Sequence, residues 1–328
     1  MRRTHQIAAA LLAALLVCVG LIGATAYDAA YRPGPLTSAT TVVIPKGATV
    51  GEIAARLRNA GVIASPLFFR LWVKLDRSLS TPRAGEYLFV ARIRLAEVLS
   101  MLRGGRTVAR KLTVPEGLTA AQVVALIENT PQLEGEISSV PAEGRLLPET
   151  YHFSLGDDRA ELLRRMTAAM DATLRDLWAK RSPDLPLKSP LEAVTLASIV
   201  EKETSLPEER PRIAAVFINR LQRGMRLQAD PTVAYALSEN GGEERRPLTQ
   251  TDLQTPTRYN TYMIDGLPPG PIANPGHAAL AAVLRPAATN ELFFVANGAG
   301  GHAFASTLEE HNRNVARWRQ LQRQGQAR

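Results

Sequence analysis

The stretch that decides the fold lies at residues 190–205 and reads Pro190-Leu-Glu-Ala-Val-Thr-Leu-Ala-Ser-Ile-Val-Glu-Lys-Glu-Thr-Ser205. Pro190 suits the first turn of a helix, because the N–H group that proline lacks would have no partner there. In the ten residues that follow, Glu192 carries the only charge, and apolar side chains cover most of the helical wheel. A helix that is apolar nearly all round is typical of a protein core. The sequence therefore predicts a buried central helix.

Two carboxylates, Glu201 and Glu203, stand at the end of this predicted helix. They are two residues apart, so they point about 200° apart and only one of them can face a given cleft. Burial at a helix end removes a carboxyl from water, which raises its pKa and leaves it able to donate a proton near neutral pH. The alternative is that these glutamates are the solvated end of a core helix. The helical wheel does not choose between the two residues.

Length and charge set the broad class of the protein. A chain of 328 residues allows two or three domains, and a charged fraction of 21% is that of a folded chain. The net charge of +8 suits an anionic partner such as a membrane surface or a carboxylate-bearing polymer, although arginines scattered over solvated surfaces explain it equally well. Since the sequence has neither zinc-finger spacing nor an RNP-like string, we predict no nucleic-acid partner.

Cysteine and histidine are sparse. Cys18 is the only cysteine and lies in an apolar N-terminal segment, so the rest of the chain can form no disulfide, cysteine zinc site or thiol nucleophile. The five histidines lack metal-ligand spacing, and we interpret them as structural or hydrogen-bonding residues. The sequence also lacks the G-x-S-x-G, P-loop, H-E-x-x-H and dinucleotide-binding motifs. We therefore predict that the chain uses no cofactor and no metal.

The N-terminus carries a membrane signal. Met1-Arg2-Arg3 precedes an apolar run from Ile7 to about Ala26, which at roughly 20 residues is long enough to cross a bilayer. The basic residues before it place the N-terminus in the cytoplasm by the positive-inside rule. Ala24-Thr25-Ala26 would also suit a signal-peptide cleavage site, but the apolar run is longer than the usual core of such a peptide. We favour an uncleaved anchor over residues 1–27, followed by a linker over 28–40.

Residues 41–90 predict a small β-α-α-β module that opens with Ile44-Pro45-Lys46-Gly47-Ala48-Thr49. The same local pattern returns at Val114-Pro115-Glu116-Gly117-Leu118-Thr119. The module resembles a LysM-like fold, which binds glycans that contain N-acetylglucosamine; a spacer without a ligand is the alternative. Residues 91–140 form a connecting region that repeats part of this unit.

We assign residues 141–322 to one larger domain and residues 323–328 to a tail. Residues 255–276 are rich in proline and glycine, and so long an irregular stretch in a compact domain is often functional. It contains Tyr259 and Asn260. Asp230 precedes Pro231, which favours an N-cap role for Asp230 at the start of a helix. A β-hairpin is predicted around residues 297–301.

Several strings, taken together and in this order, are similar to the MltG (YceG-like) endolytic murein transglycosylases. The matching strings cover about residues 40–320 and are Pro148-Glu-Thr-Tyr151, Ala197-Ser-Ile-Val-Glu-Lys-Glu-Thr204, Val216-Phe-Ile-Asn-Arg-Leu221, Gly224-Met-Arg-Leu-Gln228, Asp230-Pro-Thr-Val233, Tyr259-Asn-Thr-Tyr262, Gly266-Leu-Pro-Pro-Gly270 and Gly300-Gly-His302.

The resemblance implies an α+β protein with a single N-terminal transmembrane helix, the LysM-like module and a mainly helical, lysozyme-like catalytic domain with a β-hairpin. It implies a protein of the inner membrane whose catalytic domain faces the periplasm and acts on peptidoglycan glycan strands. Peptidoglycan synthases are the further partners that it suggests.

The resemblance also implies a mechanism. The acid in such folds is a helix-end glutamate followed by Ser or Thr, which fits Glu203-Thr204 and leaves Glu201 in a supporting role. Glu203 would protonate the bond between N-acetylmuramic acid and N-acetylglucosamine, and the C6 hydroxyl of the muramic acid would close a 1,6-anhydro ring. The residues expected to bind substrate are Glu201, Gln228, Asp230, Tyr259 and Asn260. Two other functions stay open: a non-catalytic glycan-binding scaffold, and a hydrolase.

Overall fold

The computed structural model describes residues 2–75, 83–238 and 246–326. The chain divides into two compact units, which we call the N-terminal and C-terminal units. The N-terminal unit comprises Met1–Arg110 and His152–Asp157, and the C-terminal unit comprises Lys111–Tyr151 and Asp158–Arg328. Helices dominate both units and the strands are short, so the expected α+β class is confirmed.

The N-terminal unit begins with a long helix and continues as a small mixed module. Its elements are α1 (Arg2–Tyr31), β1 (Thr40–Ile44), α2 (Val50–Asn59), α3 (Pro66–Leu75), β2 (Gly85–Phe89) and α4 (Leu95–Gly104). From residue 110 onward the elements are β3 (Arg110–Thr113), α5 (Ala120–Glu128), β4 (Leu133–Glu134), β5 (Thr150–Phe153), β6 (Asp157–Asp158), α6 (Arg159–Ala179), α7 (Pro190–Glu203), α8 (Arg210–Gln222), α9 (Asp230–Leu237), α10 (Gln250–Gln254), α11 (His277–Leu284), β7 (Phe293–Ala296), β8 (His302–Ala305) and α12 (Leu308–Gln326).

Helix α1 is long and apolar enough to cross a membrane. Its apolar stretch, Leu11–Tyr31, is 21 residues long with a mean hydropathy of 2.0. Its large apolar side chains are exposed, and only Ala30 near its end is buried. At 1.5 Å per residue this stretch spans about 30 Å, the thickness of a hydrocarbon core. The helix therefore has the length and composition that the sequence predicted.

The β-α-α-β order predicted for residues 41–90 is confirmed. Strands β1 and β2 pair antiparallel, with Val42 opposite Tyr87 and Ile44 opposite Gly85. The two helices between them close a core around the buried side chains Ile53, Leu57, Phe69 and Phe89. That the module is LysM-like stays a prediction.

The repeated sequence pattern folds into a repeated local structure. Thr49 caps α2, and Thr119 caps α5, each in a capping box closed by the side chain three residues later. The glycine two residues before each cap, Gly47 or Gly117, has a φ of +78°, a conformation that favours glycine. Six residues of sequence thus specify the same turn and helix start twice.

The core of the C-terminal unit is built on α7. Ser189 caps its N-terminus by accepting a hydrogen bond from the Glu192 amide. Residues 193–201 are all buried, and α7 packs against α8 and α11. The predicted buried helix is therefore confirmed. Leu191 differs from the rest, because it lies on the first turn and is 55% exposed.

Replacement of Leu196 by Ala is expected to lower the free energy of unfolding by about 2–5 kcal/mol, since the side chain is fully buried and its removal leaves a cavity. The exposed Leu191 on the same helix gives a matched control, and Leu191→Ala should change stability by less than about 0.5 kcal/mol. Chemical denaturation of both variants measures the difference. Equal losses would show that α7 is not the centre of this core.

Candidate active site

The candidate site lies where α7 ends. Glu203 is the last residue of the helix, and Thr204 leaves the helical conformation with φ −146° and ψ 138°. Three consecutive residues therefore meet three different environments: Glu201 is buried, Lys202 is exposed and Glu203 is partly exposed. Glu203 keeps access to a ligand while most of its surroundings are protein.

The surroundings of Glu203 favour its neutral form. Burial, with a contribution from the negative charge of Asp230, raises the pKa of the Glu203 carboxyl to about 8, against an opposing effect of the Arg220 guanidinium. A carboxyl with this pKa holds its proton at pH 7, which is what a general acid requires.

Asp230 is held by a tyrosine. It is the first residue of α9, and the Tyr262 hydroxyl donates a hydrogen bond of 2.6 Å to its Oδ1. The predicted N-cap role of Asp230 is wrong, because the helix begins one residue earlier and Ala229 occupies the cap position. Burial and the neighbouring Asp230 raise the pKa of Tyr262, so its hydroxyl stays protonated and keeps donating. The Asp230 side chain is exposed, and its negative charge acts on Glu203.

Arg220 is the positive group of the site, and the analysis of the sequence did not single it out. Its side chain is buried on α8, where Nε donates to the Leu292 carbonyl and Nη1 to the Leu227 carbonyl, both at 2.7 Å. The guanidinium also lies over the Phe293 ring, 5.3 Å from its centroid. The available signal was an arginine that follows the apolar run 213–218 on the same helix.

Gln228 precedes α9 in an unusual conformation. Its φ of 50° lies in the left-handed region, which is rare for a residue with a side chain. The turn is fixed by Thr261, which accepts from the Gln228 amide through its carbonyl and from the Ala229 amide through its hydroxyl. The Gln228 side chain is exposed next to Asp230 in the chain, and such strain is often found at ligand-binding sites.

Tyr259 and Asn260 differ in access to a ligand. Tyr259 is half-buried with its ring 4.9 Å from that of Tyr235. Asn260 is fully buried, and its amide group donates to the backbone carbonyls of Leu253 and Thr255. The structure thus turns the Asn260 side chain inward, where it supports the loop that carries Tyr262 instead of meeting a sugar.

Glu201, the other candidate carboxylate, is tied on both sides. Its Oε1 accepts from Arg210 Nη2 at 2.7 Å, and its Oε2 accepts from the Gly276 amide at 2.8 Å. Arg210 Nη2 also donates to Glu116 at 2.8 Å. With both oxygens engaged and the side chain only 3% exposed, Glu201 holds the helix end to its neighbours and does not face a ligand.

The comparison with known families decides what the chain is. The model of the YceG-like family matches residues 42–317, which is most of the sequence. The chain belongs to the YceG-like family.

Two bacterial relatives of this YceG-like chain carry the same name. The endolytic murein transglycosylase of Bacillus subtilis (strain 168) is 32% identical over 319 residues, and the match covers 86% of either chain. A protein of the same name from Streptococcus pneumoniae serotype 2 (strain D39 / NCTC 7466) is 30% identical over 326 residues, which cover 84% of this chain and 58% of that relative. These names agree with the class of enzyme that the motifs predict.

A solved structure of a protein from the same family has a similar fold. The crystal structure of a yceG-like protein from Listeria monocytogenes is 32% identical to this chain, with a TM-score of 0.52. The match covers 84% of this chain and 98% of that one.

A second network of the YceG-like chain joins residues far apart in sequence. The Glu209 carboxylate accepts from the His302 amide at 2.8 Å and lies 2.6 Å from His302 Nδ1. Although burial acts in the opposite direction, these bonds hold the pKa of Glu209 below its usual value. Gly301 allows the approach, because a Cβ there would lie 2.6 Å from Glu209 Oε1. Thr204 Oγ1 contacts the same carboxylate at 3.4 Å, so this network supports the segment directly after Glu203.

No group of three potential metal ligands occurs in the described ranges 2–75, 83–238 and 246–326. The histidine of the network, His302, makes the kind of hydrogen bond that the sequence analysis anticipated for it.

Glu203→Gln should remove a pH dependence of stability. The folded pKa of about 8 lies above the ordinary 4.5, so the stabilisation from the neutral carboxyl is complete below pH 4.5 and is lost as the pH rises through 8. The wild type should lose roughly 2–4 kcal/mol of unfolding free energy between pH 5 and 9 that the glutamine variant keeps, a range that allows for partial exposure.

Denaturant titrations at pH 5, 7 and 9 measure this difference. Glu208→Gln, at an exposed position of the following loop, is the matched control and should follow the wild type. A Glu203→Gln variant with the wild-type slope would show that Glu203 is ionised in the folded protein.

Proposed function

We propose that the chain is an endolytic murein transglycosylase that cleaves the β-1,4 bond between N-acetylmuramic acid and N-acetylglucosamine, with Glu203 as its only acid and base. Membership of the YceG-like family and the names of the relatives support the peptidoglycan transglycosylase class. The observation that carries the assignment of the residue is the position of Glu203 at the end of the buried helix α7, where burial raises the pKa of its carboxyl to about 8.

In the first step Glu203 acts as the acid. Its proton passes to the glycosidic oxygen as the bond from that oxygen to C1 of the muramic acid breaks, so N-acetylglucosamine leaves with a free 4-hydroxyl. Positive charge develops on the muramic acid ring. Asp230, held by Tyr262, supplies a negative charge near this point.

In the second step Glu203 acts as the base. Its carboxylate takes the proton of the muramic acid C6 hydroxyl, whose oxygen bonds to C1 and closes the 1,6-anhydro ring. The proton that Glu203 lost is thereby restored and no water is consumed. The Arg220 guanidinium limits the energetic cost of the transient carboxylate, because it favours the charged form of Glu203.

The remaining residues bind and position the substrate. Gln228 presents an exposed amide group from a fixed turn, and Tyr259 offers a half-buried ring of the kind on which sugars stack. Glu201 and Asn260 act indirectly, because their hydrogen bonds hold the end of α7 and the loop that carries Tyr262 in position.

We further propose that α1 anchors the protein in the inner membrane with its N-terminus in the cytoplasm and the C-terminal unit in the periplasm. The length of its apolar stretch and the arginines that precede it support this orientation. The β-α-α-β module would then lie next to the membrane, where a LysM-like role would be to hold glycan strands.

The purified full-length chain should release glycan fragments with 1,6-anhydromuramic acid ends from peptidoglycan, and Glu203→Gln should release none above background. The glutamine variant keeps the size and hydrogen-bonding groups of the side chain and loses only the titratable proton. Mass spectrometry of the products measures both, and Glu208→Gln is the control that should match the wild type.

Each alternative function has its own product pattern. A non-catalytic scaffold would bind glycan strands, leave them uncut and behave identically with and without Glu203→Gln. A hydrolase, in which Asp230 would serve as the second carboxylate, would give reducing muramic acid ends.

The rate of strand cleavage should fall as the pH rises through about 8, because the acid form of Glu203 is lost there. Asp230→Asn should move this fall to lower pH, since the negative charge of Asp230 helps to hold the proton on Glu203. A pH series of initial rates for both proteins tests this. An unchanged position of the fall in the variant would show that Asp230 does not act on the catalytic proton.

A further inference from the structure

Helix α3 of the N-terminal unit exposes a row of leucines. Leu67, Leu71 and Leu75 follow at four-residue intervals, and they are 65%, 41% and 69% exposed. Single exposed apolar side chains are ordinary on protein surfaces, but a continuous row on one helix face indicates a surface that contacts something apolar.

The leucine row lies directly opposite the face that packs into the core. The buried residues of α3 are Phe69 and Val73. At 100° per residue, the centre of the leucine row at Leu71 is about 180° from the midpoint between these two. The helix is therefore apolar on both its inner and outer faces, and the packing of the unit accounts for only the inner one.

The residues beside the row belong to two classes. Arg70 and Lys74 form an exposed row along one side of the leucines. Phe68 and Trp72, both partly buried, lie along the other side. Exposed leucines between basic and aromatic side chains are typical of helices that lie in the interface of a membrane, where the basic groups meet anionic headgroups.

The last residue of the leucine row, Leu75, lies next to the end of the proposed membrane anchor. Trp72 and Leu75 of α3 line one cleft of about 370 Å³ together with Ala30 and Tyr31 of α1. The rings of Tyr27 and Tyr31, with centroids 4.6 Å apart, mark the last turns of the apolar stretch. Tyrosines in this position are typical of the boundary between hydrocarbon and headgroups, so the Leu75 end of the row lies beside that boundary.

We propose that α3 is a second membrane contact, an interfacial helix whose leucine row enters the periplasmic leaflet next to α1. The partner is the lipid surface itself, since the Leu75 end of the row lies beside the last turn of α1 and the basic edge of the row is complementary to anionic phospholipid. Two contacts instead of one restrict how the module can tilt on the anchor, and they hold the module at a fixed height above the bilayer. This inference rests on the proposed anchoring of the chain by α1.

The test uses the full-length chain in lipid nanodiscs of phosphatidylglycerol and phosphatidylcholine, at one chain per disc. A fluorophore is attached through a single cysteine at one of three positions. The native Cys18 in α1 reports the anchor. With Cys18→Ser as the background, Leu71→Cys reports the row, and Leu88→Cys on β2 is a control of the same residue type with a similar exposure of 49%. Thermal melts establish that each protein is folded.

Quenchers in the lipid and in the water separate the outcomes. The label on the Leu71→Cys protein should lose most of its fluorescence when spin-labelled lipid is included, and it should resist iodide. The label on the Leu88→Cys protein should show the reverse. These results would support the lipid contact.

Three results would overturn it. A Leu71→Cys label as open to iodide as the Leu88→Cys label would mean that α3 faces water. A label shielded from iodide without quenching by lipid would mean that a protein surface covers the row. A Cys18 label that spin-labelled lipid does not quench would overturn the anchor as well, which distinguishes failure of the anchoring proposal from failure of the α3 contact alone.

Discussion

The removal of one carboxyl group from water is the constraint on which the site depends. Helix α7 is enclosed by core side chains along most of its length, so its last residue, Glu203, reaches the surface from within the core. An ionised carboxylate loses hydration there, and the fold stabilises the neutral acid instead. The position of Glu203 at the helix end therefore keeps a proton on its carboxyl, which can donate that proton near neutral pH.

The same helix end gives its two glutamates opposite roles. Glu201 meets Arg210 and the Gly276 amide, and it becomes part of the framework that fixes the helix in place. Glu203 lies near Arg220, whose Nε and Nη1 donate to the backbone carbonyls of Leu292 and Leu227. The guanidinium favours the charged form of Glu203, but burial has the larger effect on its pKa.

The elements around the site serve mainly to hold these charges in position. Tyr262 fixes Asp230, and Asn260 fixes the loop that carries Tyr262. Glu209 and His302 join the loop after α7 to the hairpin strand β8. The N-terminal unit adds the apolar helix α1 and the exposed leucines of α3, which are the two surfaces used by the proposed membrane contacts.

The sequence alone determined the features that depend on residues close together in the chain. Composition was enough to predict that α7 is buried and that the N-terminal helix is apolar, and the turn before Thr49 was recognisable again before Thr119. The helical wheel could not choose between Glu201 and Glu203, and the choice of Glu203 came from a resemblance. Only the tertiary structure decided which partners each carboxyl meets, because Gly276 is 75 residues from Glu201, and His302 is 93 residues from Glu209. Local patterns fix backbone conformation, whereas the ionisation of a side chain depends on groups that folding brings from distant parts of the chain.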